Sequence, residues 1–293
     1  MAKTALVIGA SGQVGNVLYN LLKEKHYNTI GTGCANLNSN LIKLDVKDKE
    51  AFNKIYLEYK PLYIYYVSSY NNVDECEKNS DHSRNINVFG FNNLIEIAEK
   101  NWWREIHIAY FSTDYVFDGK AGPYIVDNIP NPIQEYGKQK FICERLLIER
   151  KGLGSDVIIR TNMVYGFDPQ KKNYNSRLHN CLERGETWEA LSDEYVTPTF
   201  NKTLAERAIA LLEHNAIEEG NCKTYHVAGK EITTRYQFSV DYAKVYGFDL
   251  KLIKPIFVND VKRIAKRPIY GGLKCTKKNE TRSHMEVFEQ EQF

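Results

Sequence analysis

The sequence predicts a doubly wound parallel α/β sheet followed by a smaller carboxyl-terminal lobe, and three observations carry that prediction. Short apolar runs of strand length alternate with helical patterns through the first 165 residues, a glycine-rich turn separates the first strand from the first helix, and the alternation gives way to irregular spacing after about Gly166. Repeated strand and helix units of this size are the pattern of a parallel sheet covered on both faces. The expected boundary lies between residues 165 and 166, with some later segments returning to the first domain.

The elements follow in order. Thr4 to Ile8 is apolar at four consecutive positions, as a strand buried on both faces is. After the turn, Val14, Val17, Leu18, Leu21 and Leu22 recur at helical spacing. A second strand is expected over Tyr27 to Gly31, a helix near Glu50 to Tyr59, and a strand over Leu62 to Val67. A helix near Asn85 to Lys100, a strand from Ile106 to Phe111, a helix from Tyr136 to Arg150 and a strand from Asp156 to Arg160 complete the alternation. Beyond it, loops around Asp168 to Asn175 and Thr197 to Lys202 separate helices that read as shorter. Ligands of such sheets bind outside the carboxyl ends of the strands, where the second lobe would close.

Composition removes several classes of function. With 293 residues, 43% hydrophobic and a formal charge of +2, the chain can bury one large core with an appended lobe. Its lysines and arginines are dispersed, with no run longer than a pair, so nothing resembles a nucleic-acid footprint. No stretch reads as membrane-spanning. Cysteines 34, 76, 143, 181, 222 and 275 lack paired spacing, which disfavours a metal site and a disulfide framework alike. Met1-Ala2-Lys3 leads directly into the first strand, leaving no room for a cleavable signal, and a cytoplasmic location is expected.

Gly9-Ala10-Ser11-Gly12-Gln13-Val14-Gly15 reads as a G-x-x-G-x-x-G turn between a buried strand and an amphipathic helix. Glycines there permit a tight turn and a close backbone approach, so that a pyrophosphate can sit on the helix amino terminus. An acid that would take ribose hydroxyls is expected about 20 residues on, yet none occurs between Lys25 and Asp45. NADP(H) is therefore the expected cofactor; no Arg or Lys lies between Gly31 and Ile42 to hold its 2′-phosphate, and NAD(H) stays open.

Further on, Phe111-Ser112-Thr113-Asp114-Tyr115-Val116-Phe117 precedes a proline-punctuated loop and then Tyr136-Gly137-Lys138-Gln139-Lys140. This order offers a hydroxyl, a phenol and an ammonium, the groups carbonyl reduction needs. Thr113, Tyr136 and Lys140 are the expected catalytic residues. Tyr136 and Lys140 are four apart and share a helix face, where the ammonium is expected to favour the phenolate and lower the Tyr pKa. With 20 tyrosines the spacing recurs, at Tyr19/Lys23, Tyr56/Lys60 and Tyr270/Lys274. Only Tyr136 follows a strand ending in Ser-Thr and opens a long helix, and the other pairs read as structural.

These segments resemble the extended short-chain dehydrogenase/reductases, and within them the dTDP-4-dehydrorhamnose reductase family. The resemblance runs over most of the chain. It includes the glycine turn, Ser68-Ser69-Tyr70-Asn71-Asn72-Val73-Asp74-Glu75-Cys76-Glu77, the Asn87 region, the Ser-Thr-Asp-Tyr-Val-Phe string, Pro123-Tyr124, the Tyr136/Lys140 motif, Arg160-Thr161, Pro198-Thr199, Tyr225-His226-Val227-Ala228-Gly229 and Arg267-Pro268. Two departures stand out. The family often carries Ala-Ala in place of Ser68-Ser69, and a Trp where this chain has Met163 after Arg160-Thr161-Asn162. The stretch from Thr276 onward is also short and charged relative to the family's closing helix.

The resemblance implies a Rossmann NAD(P)-binding domain over residues 1–165 and a substrate-binding lobe over 166–293. It implies reduction of the 4-keto group of a nucleotide-linked 6-deoxyhexose, as in the synthesis of L-rhamnose donors. Gly9, Ser11, Gly12, Gln13, Val14, Thr32, Asp45, Val46, Ser68, Ser69, Tyr70, Phe111, Tyr136 and Lys140 would meet the cofactor; Thr113, Asp114, Tyr115 and Met163 would meet the sugar. No metal is needed, because hydride chemistry belongs to the cofactor. A homodimer is compatible with this reading. Two alternatives remain: a regulatory subunit resembling the methionine adenosyltransferase beta subunit, which shares the Gly-x-Gly end of the second strand (Gly31-Thr32-Gly33), and a sugar-nucleotide epimerase. Dehydratases of this fold place acid/base carboxylates beside the hydroxyl residue, and here only Asp114 is available.

Overall fold

In the computed structural model, which describes residues 3–35, 37–101, 105–217 and 221–291, the alternation becomes a seven-stranded parallel sheet. In chain order the elements are β1 (Thr4–Ile8), α1 (Gln13–Glu24), β2 (Asn28–Gly33), β3 (Leu41–Lys43), α2 (Lys49–Tyr59), β4 (Tyr63–Tyr66), α3 (Val73–Lys78), α4 (Ser80–Arg84), α5 (Gly90–Lys100), β5 (His107–Thr113), α6 (Glu135–Glu149) and β6 (Val157–Thr161). After β6 come β7 (Val164–Tyr165), α7 (Tyr174–Glu183), β8 (Trp188–Leu191), β9 (Tyr195–Val196), β10 (Thr199–Phe200), α8 (Asn201–Ile217), β11 (Lys223–His226), α9 (Arg235–Val245) and α10 (His284–Gln290). Sheet order is β11-β6-β5-β4-β1-β2-β3, so β1 lies inside the sheet beside the middle strand β4, and the chain winds outward from it in both directions, as the fold class predicts.

Strand periodicity sorts side chains into two layers. Leu6 and Ile8 of β1, with Ile108 and Tyr110 of β5, face the layer of α2, α5 and α6. Ala5, Val7, Ala109 and Phe111 face the opposite layer, closed by α1 and α8 through Leu18, Leu22, Leu204 and Ala208. The sheet is buried on both faces, which is why its strands read as continuous apolar runs.

The strand β3 and the helix α8 depart from the expected element plan. The short edge strand β3 offers only Leu41 and Ile42 as apolar signal and was not expected. At 17 residues α8 is longer than α6, against the expectation of shorter helices beyond Gly166. It packs on α1, and β11 then joins the sheet beside β6, returning this stretch to the first domain's layers. The rest of the second lobe is held by an aromatic cluster, including Tyr165, Phe200, Phe238, Tyr242 and Phe288. Its closing helix α10 is short but well started, with Ser283 and Glu286 capping each other's backbone.

Between α4 and α5 the helix widens into a π turn over Asn85–Phe89. Such bulges push one residue out of register and recur at functional sites. The residue placed here is Asn87, 3% exposed and directed at the loop after β4.

Candidate active site

The glycine turn builds the first wall of the site. Gly9 has φ of +96°, and a Cβ there would lie 2.8 Å from the Ser68 backbone nitrogen. A Cβ at Gly15 would lie 2.1 Å from the Gly9 carbonyl oxygen, so helix and strand pack this closely only with glycine at that position. At Gly12 a Cβ would meet only the Gly9 carbonyl, at 3.5 Å: the third requirement of the turn is open space. Gly12 is also the N-cap of α1, with no side-chain cap and no acid in the first turn. The helix thus begins with unfilled N–H groups and the positive end of its dipole, the setting that suits a pyrophosphate.

Beyond this turn lies a cavity of about 380 Å³ at the carboxyl ends of the strands. Twelve of the fourteen expected cofactor residues border it: Gly9, Ser11, Gly12, Gln13, Val14, Thr32, Val46, Ser68, Ser69, Phe111, Tyr136 and Lys140. Asp45 and Tyr70 do not. The Asp45 carboxylate turns back to accept the Lys47 N–H at 3.0 Å and faces the Lys47 ammonium at 3.4 Å, while its neighbours Leu44 and Val46 border the cavity. The Tyr70 ring packs edge-on against His82, 5.4 Å away, and its backbone is held by Asn87. Thr32 contributes chiefly backbone: its side chain is buried with the hydroxyl toward the Val7 carbonyl, and its own carbonyl accepts from Gly9 and Ala10. Cys34 and Ala35 reach the cavity where a ribose-binding acid would otherwise stand.

At the other end β5 delivers Phe111 and α6 delivers Tyr136 and Lys140. Lys140 is 4% exposed, donates to the Phe111 carbonyl at 2.8 Å and lies 4.8 Å from the Tyr110 ring centroid. Burial pulls its ammonium from the ordinary 10.5 down to about 8, against the nearby Cys143 and Glu144. The expected lowering of the Tyr136 pKa does not occur in this protein. Burial pushes the phenol above the ordinary tyrosine range, with a smaller push from the nearby acidic and phenolic groups and a side-chain hydrogen bond with Ser69 opposing the rise; the Lys140 ammonium lies over its ring, 5.9 Å from the centroid.

None of the four expected sugar residues borders the cavity, and of them only Tyr115 packs on the Tyr136 ring. Tyr115 meets that ring edge-on at 6.3 Å. Thr113 donates to Asp114 at 3.2 Å and accepts the Tyr115 N–H at the same distance. Asp114 is 4% exposed, and burial lifts its carboxyl to about 6, against hydrogen bonds from the Gly272 backbone, Thr113 and Asn162. Met163, at φ of +33°, ends the turn after β6 and packs on the aromatic cluster of the lobe rather than bordering the cavity.

Several residues outside the expected set also belong here. Gln170, from the loop after Gly166, borders the cavity and donates to the Ser11 carbonyl at 3.0 Å, linking the lobe to the glycine turn. Thr161 borders the cavity with a buried hydroxyl that has no partner. Asn162 donates to Asp114 and accepts the Thr197 N–H at 2.8 Å. Only the string Arg160-Thr161-Asn162 signalled the last two; nothing local marks Gln170, which arrives by chain return. Beneath the site Glu144 accepts from Ser112 and from two nitrogens of Arg160, in a pair 1% and 6% exposed.

The competing Tyr/Lys pairs lie elsewhere. Lys23 sits over the Tyr19 ring on α1, Tyr56 is buried in the core, and Tyr270 stacks on Tyr195. Lys274 lies in extended backbone, so a spacing of four does not place it with Tyr270. Among the described residues no group of acids, histidines and cysteines could hold a metal ion, and no helix is long and apolar enough to cross a membrane. The open helix amino terminus, the glycine cradle and the partnerless Thr161 hydroxyl all fit a dinucleotide.

Comparison with known proteins agrees with this geometry. The chain is 29% identical to a probable low-salt glycan biosynthesis reductase of Haloferax volcanii over 272 residues, 90% of this chain and 87% of that one. It is 26% identical to the methionine adenosyltransferase 2 subunit beta of Xenopus laevis over 290 residues, 94% and 81% of the two chains. A solved dTDP-4-dehydrorhamnose reductase from Clostridium acetobutylicum superposes with a TM-score of 0.85 at 29% identity, over 98% of this chain and 97% of that one. The reductase of Bacillus anthracis, solved in complex with NADP, gives 0.86 over 99% and 98% of the two chains, at an identity of 22% that bears on the fold alone. The RmlD substrate binding domain matches residues 3–291, and with that match over nearly its whole length the chain belongs to this family.

Proposed function

We propose that this protein is an NAD(P)H-dependent reductase of the 4-keto group of a nucleotide-linked 4-keto-6-deoxyhexose. The observation that carries the reading is the convergence on one cavity of an uncapped, glycine-started helix with the Tyr136 phenol and the Lys140 ammonium. The reductase relatives at 29% identity support the same class of chemistry.

A bound nicotinamide dinucleotide would supply the hydride. Gly12 and the first N–H groups of α1 would hold its pyrophosphate, and NADP(H) is the favoured form because no acid stands at Cys34 or Ala35 to repel a 2′-phosphate. Lys140, already directed at the cavity, would bond the nicotinamide ribose. Thr113 would hold the substrate carbonyl oxygen, and Tyr136 would protonate that oxygen as negative charge develops on it. The phenol is protonated at neutral pH, so its proton is present to donate, while burial makes it a weaker acid than an ordinary tyrosine.

A second reading is favoured by one observation, the 26% identity to the beta subunit over 94% of this chain. In that reading the dinucleotide cavity serves a regulatory subunit. Supplying NADPH with dTDP-, UDP- and GDP-linked 4-keto-6-deoxy sugars, and following loss of the nicotinamide absorbance, separates the two. Turnover on any of them supports the reductase. Tight NADPH binding with turnover on none would favour the regulatory subunit.

A further inference from the structure

Gln170 comes to the cofactor cavity from the second lobe, and it meets the glycine turn at a particular place. Its side-chain amide donates to the Ser11 carbonyl at 3.0 Å, while Gln13, from the opposite wall, donates to the Val164 carbonyl at 3.3 Å. All four residues border the cavity. Ser11 and Gln13 are the chain neighbours of Gly12, so the two hydrogen bonds tie the turn to the connection between β7 and α7 on either side of the residue that starts α1. A pyrophosphate seated on that helix start lies between them.

The connection that carries Gln170 is held by its own hydrogen bonds. The carboxylate of Asp168, 8% exposed, accepts the N–H groups of Gln170 at 3.0 Å, Lys172 at 2.8 Å and Asn173 at 3.0 Å. Asn173 donates to the Gly166 carbonyl at 2.8 Å and caps α7 by accepting the Ser176 N–H at 3.0 Å. Asn201, at the start of α8, donates to the Phe167 carbonyl at 2.6 Å. A side chain carried on backbone this well fixed gives up little freedom when a ligand arrives. Its donors matter next. A glutamine amide has two N–H groups; that of Gln170 gives one to Ser11, and among the described residues the other has no partner.

We infer that Gln170 is a cofactor-binding residue supplied by the second lobe: its amide rests on the Ser11 carbonyl with one N–H and gives the other to the pyrophosphate of a nicotinamide dinucleotide held at Gly12. The inference rests on the reading of this cavity as a dinucleotide site, the part of the proposed function that does not depend on turnover. It makes the pyrophosphate a bridge between the glycine turn and the connection leading to α7, so that the second lobe takes part in holding the cofactor as well as the sugar.

The test reads binding, with no sugar present. Titration of NADPH followed by nicotinamide fluorescence should show Gln170→Ala weakening the complex about tenfold, the low end of what a hydrogen bond to a charged group supplies. Gln170→Glu cannot donate and sets a carboxylate beside the diphosphate, so its loss should be larger, about a hundredfold, and partly recovered at high salt. A residue that only tied the lobe to the turn would give equal losses in the two variants, because neither keeps a donor for Ser11. In ³¹P NMR of wild type and Gln170→Ala saturated with NADP⁺, the pyrophosphate signals should differ while the 2′-phosphate signal stays in place. Equal losses in Gln170→Ala and Gln170→Glu overturn the inference, as does wild-type affinity in Gln170→Ala or an unmoved pyrophosphate signal. Failure of the wild type to bind NADPH or NADH overturns it outright. If affinities and signals change as expected while no 4-keto sugar nucleotide is turned over, the reductase reading fails and the Gln170 contact stands.

Discussion

Replacing Lys140 by Met should make the protein more stable at neutral pH while removing the group that would hold the cofactor ribose. Lys140 is 4% exposed, and burial brings its ammonium from 10.5 down to about 8. At about 1.4 kcal/mol per pH unit, that displacement corresponds to roughly 3 kcal/mol by which folding disfavours the charged form. Met fills a similar volume without charge, but leaves the Phe111 carbonyl without its ammonium donor, which costs about 1 kcal/mol. The expected net gain is about 2 kcal/mol at pH 7. Its pH dependence follows from linkage. Below pH 8 the lysine is charged in both folded and unfolded chains and the full penalty applies. Between pH 8 and 10.5 the unfolded chain binds more protons than the folded one, so wild-type stability rises with pH. Above 10.5 the penalty is gone. Urea unfolding of wild type and Lys140→Met at pH 7, 8.5 and 10 should therefore give a difference that shrinks from about 2 kcal/mol towards zero or slightly below it. A variant less stable than wild type at pH 7, or a difference independent of pH, would show that the buried ammonium is not strained and refute the argument.

Three further outcomes are expected. Tyr136→Phe should bind NADPH much as wild type does but turn over about 10² to 10⁴ times more slowly, whereas Tyr19→Phe and Tyr270→Phe, whose rings lie outside the cavity, should be kinetically quiet; equal losses at Tyr136 and Tyr270 in steady-state assays would assign the wrong pair. Cys34→Asp puts a carboxylate at the cavity edge, where it would repel a 2′-phosphate and accept from ribose hydroxyls, so the ratio of kcat/KM for NADH over NADPH should rise by one to two orders of magnitude, about what one charge-assisted hydrogen bond supplies; an unchanged ratio rules out this edge as the ribose site. Glu144→Gln leaves the Arg160 guanidinium, 6% exposed, without a counter-charge and should cost about 3 to 5 kcal/mol in chemical denaturation, a loss under 1 kcal/mol showing that the pair is not strongly coupled to the fold.

By itself the sequence determined the layered parallel sheet, because strands buried on both faces must be apolar without interruption and helices beside them must be amphipathic, patterns visible in Ala5 to Ile8 and in Val14 to Leu22. It determined the glycine turn for a similarly local reason: only glycine tolerates the φ of Gly9 and the approach at Gly15. Tyr136 with Lys140 was legible because four residues on a helix make one face. Only the tertiary structure decided what surrounds them. Asp45 and Tyr70 neighbour cavity residues in sequence yet turn away, since a carboxylate takes the nearest cation and a ring the nearest ring. Gln170 and Asn87 enter the site through a chain return and a π turn, neither of which has a local signature. The pKa of Tyr136 does not follow from spacing, because spacing sets which side chains are near, whereas burial and the engagement of Lys140 with the Phe111 carbonyl set the energy of the charged form.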